Sequence, residues 1–164
     1  MKNHFIHIGL ALLLGTFSVT AQPPPPRPIA VYANPAQGLI FGAFFQGPSG
    51  GTVILSPDGS RTATGSLTLA NLGYPYSPAL FEVDANPGTA VSIMNGPDVT
   101  LSGSNGGTIR LHIGLASTGS SFITTVAPPG RTEVWIGGTL TVGPPLANPS
   151  GSYSGTFSVT FIQQ

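Results

Sequence analysis

The sequence contains no cysteine. Neither a disulfide framework nor a thiolate metal site is available, so stability must come from packing and backbone pairing. Charge is almost as scarce, with five basic residues (Lys and Arg) and five acidic ones in 164. Lys2 is the only lysine. Such a chain has no electrostatic footprint for nucleic acid, so no nucleic-acid partner is expected. It also lacks the glycine–lysine loop that cradles phosphates. No stretch of ten or more residues shows helical spacing with caps, which argues against a helical domain. Beyond Val19 no apolar run is long enough to span a bilayer as a helix. So little charge leaves two readings of the surface. One is a solvated coat of Ser, Thr and Gly; the other is a surface that packs against neighbours.

The first residues read as a signal peptide. Met1 to His4 form a short basic region, Phe5 to Val19 an apolar run, and Val19 and Ala21 small residues at the cleavage positions. Cleavage after Ala21 leaves 22–164, a length that suits one domain. Beyond Lys2, four arginines face five carboxylates. Gln22 to Pro28 holds five prolines, four of them consecutive, and favours a stiff polyproline leader. Ile29 to Ala33 follows as a candidate strand. The boundaries are thus 1–21 for the signal peptide, 22–33 for the leader with its strand, and 34–164 for a β-domain.

From there the period is two. Tyr153, Gly155, Phe157, Val159 and Phe161 alternate with Ser and Thr over 152–162, as a strand with one buried face does. Phe157→Ala should cost about 3–5 kcal/mol if that ring is inside. Ala63, Gly65, Leu67 and Leu69 repeat the pattern over 62–69, and Ile109, Leu111 and Ile113 over 109–113. Shorter examples are Val53 and Leu55, Phe81 and Val83, Val91 and Ile93, and Val134 and Ile136. Ser56-Pro57-Asp58-Gly59 has type I turn chemistry, so 51–70 reads as a hairpin. Asn86-Pro87-Gly88, Asn95-Gly96-Pro97, Gly103 to Gly107 and Pro128-Pro129-Gly130 mark further breaks. Short strands with turns at this spacing predict an antiparallel β-sandwich or barrel.

Candidate chemistry is sparse. His112 is the only histidine after His7, so a histidine–cysteine metal site would have one ligand at most. Its neighbours Leu111 and Ile113 read as inward, which turns His112 to solvent. Glu82 and Asp84 share one face of a strand. A glycosidase pair or calcium ligands would use that spacing, but a solvated strand face explains it as well. No catalytic residue, metal or cofactor is assigned. Trp135 is the one unusual residue. Strand parity puts it on the outer face, where it would stack on a sugar or anchor a protein contact. The competing and favoured reading is a bulge at Gly137-Gly138 that resets the register and turns Trp135 inward.

Several runs together resemble the bacterial domain-of-unknown-function 4402 family. They include Gly38 to Phe44, Gly50 to Val53, Ser56 to Arg61, Ser77 to Val83, Pro87 to Ile93, Ile136 to Val142 and Gly151 to Thr160. The resemblance implies an exported β-domain of Gram-negative bacteria. The closing glycine–tyrosine–glycine strand is also similar to those of spore coat U-type and pilin-like subunits. That similarity implies an immunoglobulin-like β-sandwich of about seven to ten short strands, assembling by strand addition. The expectation is therefore a non-enzymatic structural or adhesive subunit of the envelope or surface. It would sit in the periplasm, on the outer surface or outside the cell. Its partners would be itself or other surface subunits, with Ile29 and Val31 as donor residues. The alternative is a carbohydrate- or protein-binding module centred on Trp135.

Overall fold

The computed structural model describes residues 26–164. The signal peptide and Gln22 to Pro25 lie outside the described residues. Thirteen strands, numbered in chain order, and no helix occur among the described residues. Every ladder is antiparallel.

Eight strands form the large sheet. They are β1 (Ala30–Ala33), β3 (Gly51–Leu55), β4 (Arg61–Ala63), β6 (Ala79–Asp84), β8 (Val99–Gly103), β9 (Thr108–Ala116), β11 (Thr132–Val142) and β12 (Tyr153–Ser154). The main order is β1-β6-β11-β9-β8-β12, and β3 joins β11 and carries β4. A second sheet has the order β10-β7-β13, from β10 (Ser121–Ile123), β7 (Ala90–Asn95) and β13 (Val159–Gln163). A small pair joins β2 (Phe44–Gln46) to β5 (Leu67–Leu69).

The strands form where apolar residues alternate with Ser, Thr and charged ones. Val134, Ile136, Leu140 and Val142 of β11 face inward and are buried, as are Ile109, Leu111 and Ile113 of β9. Ile93, Phe122 and Phe161 meet them from the second sheet. Phe81 of the large sheet lies 5.5 Å from Phe161 and 6.4 Å, edge-on, from Phe157. The result is a sandwich with one aliphatic and aromatic core. Each fully buried side chain contributes about 1.5–3 kcal/mol.

Two expected strands are cut in two, which helps bring the number above seven to ten. The hairpin across Ser56 to Ser60 forms as expected, with Gly59 N–H donating to Ser56 C=O at 3.0 Å. Its second arm ends at Ala63, however. Gly65 takes a positive φ of 69° and turns the chain away, so 67–69 pairs with β2 instead. The 152–162 run likewise serves both sheets, with Tyr153 and Ser154 on β8 and Val159 to Gln163 on β7. Tyr153, Phe157, Val159 and Phe161 all pack against the core. The alternation therefore survives the crossing between sheets although the strand does not.

Candidate functional site

Trp135 depends on a bulge, but in the neighbouring strand. On β11, Ile136 pairs with Ala116 and Gly138 with Ile113, so β9 advances three residues while β11 advances two. The extra residue is at Gly114-Leu115. The expected register reset at Gly137-Gly138 is therefore corrected: β11 keeps its parity, and Trp135 stays on the outer face, half-buried and out of the core. The glycine pair has a different cause. A Cβ on Gly137 would lie 2.2 Å from the Leu55 carbonyl oxygen, so that position admits no side chain. Strict alternation would send Leu115 inward after Ile109, Leu111 and Ile113. The bulge instead leaves it 76% exposed.

Leu115 and Trp135 line one open groove of about 790 Å³ with Pro57, Pro78, Ala116 and the Asp58 turn. Ser117 fixes the backbone of Trp135 from both sides. Its hydroxyl accepts the Trp135 N–H at 3.0 Å, and its own N–H donates to the Trp135 C=O at 2.7 Å. Asp58 accepts the Ser60 N–H at 2.9 Å. Hydrogen bonds from the Ser60 side chain, then its backbone, hold this carboxyl below its ordinary value. Asp58 makes no ion pair among the described residues. The groove is mainly apolar with one carboxylate at its rim. Leu115, Pro57 and Pro78 do not read as site residues in the sequence, where Pro57 is named only for its turn. The signal that would have found Leu115 is Gly114, a glycine interrupting a strand.

Ile29 and Val31 sit at the edge of their own large sheet. Val31 pairs with Val83, and Ile29 packs against the core. Gln163 holds this segment from the second sheet, its side chain accepting the Ile29 N–H at 3.0 Å and donating to the Arg27 C=O at 3.3 Å. Arg27 makes a two-pronged contact with Asp84 at 3.0 and 3.1 Å. Glu82 faces Arg131 at 3.4 Å. The two carboxylates of β6 are thus each engaged by a different arginine. His112 is exposed, as its parity implied, with Nδ1 at 2.7 Å from Asp98, which also binds Arg110 at 2.6 Å. No group of three His, Asp or Glu with metal-binding geometry occurs among the described residues.

The second sheet is different in kind. β7, β10 and β13 contain no charged residue and no histidine. Their outer face exposes Met94, Ile123 and Ile162. Gly96 N–H donates to Ser158 C=O and Gln164 N–H to Ala90 C=O. Even-numbered residues of β13 therefore bond to β7, and Val159, Phe161 and Gln163 turn their backbone groups to the open edge. Those groups have no backbone partner among the described residues.

No curated protein and no solved structure matches the chain. The model of a family described as a domain of unknown function matches residues 31–162, nearly all of the described fold. The chain therefore belongs to the DUF4402 family.

Proposed function

We propose that this chain is a non-enzymatic, exported structural or adhesive subunit of the envelope or surface that self-associates by strand addition. The observation that supports this is the edge of β13. Natural proteins guard such edges with lysine, proline, bulges or short strands. Val159 to Gln163 has no charge and no proline, and it offers three outward N–H groups and three outward carbonyls. A second copy satisfies them with the same edge and meets no like charge in doing so. Donation of Ile29 and Val31 to a neighbour is the related route; it requires β1 to leave β6 and be exchanged between copies.

Light scattering on 22–164 over a concentration series tests this reading. Thr160 is exposed on β13, so Thr160→Lys places a charge at the edge without entering the core. The expected result is association that grows with concentration and is weakened in Thr160→Lys. A monomer at every concentration sinks the proposal.

A binding module is the second reading. The half-buried Trp135, set in a groove with the exposed Leu115, favours it.

A further inference from the structure

The groove of Trp135 has the chemistry of a polyproline site. Its walls are an indole, an aliphatic side chain and two prolines, with few polar groups. A sugar needs several converging hydrogen-bond partners, whereas a polyproline helix needs flat apolar surface and brings almost no donors of its own. The carboxylate of Asp58 at the rim disfavours an acidic ligand.

The chain carries such a ligand. Pro23 to Pro26 lack N–H groups and cannot enter a sheet, so a segment of this kind binds through its rings. Geometry forbids its own groove. β1 runs antiparallel to β6 with Ala30 opposite Asp84, so Pro26 to Ile29 continue past Asp84. Trp135 lies opposite Leu80, towards the other end of β6. Asn34, whose N–H bonds to the Leu80 carbonyl, is eight residues on from Pro26 along this extended edge, so the four residues before Pro26, roughly 12 Å at about 3.1 Å each, are too few to return to Trp135.

We propose that the Trp135 groove binds the proline-rich leader, Gln22 to Pro26, of a second copy of this chain. The inference rests on the self-association reading and adds to it a head-to-tail contact, which propagates where a two-fold edge contact closes.

Trp135 is the only tryptophan, so its emission reports the groove directly. The test titrates the synthetic peptide Gln22–Pro28 into the 22–164 protein. The expected result is a saturable shift to shorter wavelength, at least tenfold weaker in affinity for Leu115→Asp. A peptide with alanine at every proline should give no saturable change. Three outcomes overturn the proposal: no saturable change with the proline peptide, equal binding of the alanine peptide, or unchanged affinity in Leu115→Asp. Saturation by an oligosaccharide panel without any response to the peptide also overturns it, in favour of a sugar site. Peptide binding does not depend on the β13 edge. Unchanged association in Thr160→Lys, together with peptide binding that Leu115→Asp weakens, would discard the edge and keep the groove.

Discussion

Asp98 and His112 lie across from one another where β8 meets β9, with Oδ1 of Asp98 2.7 Å from Nδ1 of His112. This bond is the main reason the Asp98 carboxyl sits below its ordinary value of 3.8; Arg110 adds to the effect. A carboxyl lowered in the folded state stabilises the fold above its unfolded value. That contribution disappears as pH falls through the lower, folded value. Carbon-13 titration of the carboxyl should give Asp98 a midpoint below 3.8, and His112→Ala should move it upward. An unchanged midpoint in that variant would show that the bond is not made in solution.

The core predicts an order of losses. Ile136 is fully buried, so Ile136→Ala should cost about 3–4 kcal/mol in a urea titration. Phe157 is only partly buried against the core, with an edge contact to Phe81. Phe157→Ala should cost about 2 kcal/mol, below the range for a fully enclosed ring. A greater loss for Phe157→Ala would place that ring deeper than this fold does.

Much of this was legible in the sequence because alternation records burial. The parity of Val134, Ile136, Leu140 and Val142 named the inward face of β11, and the Ser56 to Gly59 turn named its hairpin. Alternation says nothing about partners. It did not show that Gly65 redirects the chain to β2, or that Ser154 and Val159 belong to different sheets. Nor did it say which strand bulges. Gly137-Gly138 and Gly114 look alike in sequence. Only the close approach of Leu55 to Gly137, and the three-for-two pairing in β9, distinguish them. Leu115 was therefore missed as a companion of Trp135.

Asn148 precedes Pro149, which bars it from glycosylation, and it has a structural task. It is buried, accepts the Gly143 N–H, and donates to the carbonyls of Thr108 and Ala147. Truncation to alanine leaves those groups without partners in an enclosed place. Asn148→Ala should cost about 1–3 kcal/mol, with faster exchange of the Gly143 amide than in the parent. A change within about 0.5 kcal/mol, the size of a surface substitution, would mean water replaces the side chain.

The open edge of β13 is the central claim, and amide exchange reads it residue by residue. In dilute 22–164, the Val159 and Phe161 amides should exchange far faster than those of Thr160 and Ile162, which bond to β7. At high concentration the outward pair should become protected, and in Thr160→Lys it should not. Outward amides that stay fast at every concentration, in a sample that light scattering shows to be associated, would contradict the account and move the interface elsewhere.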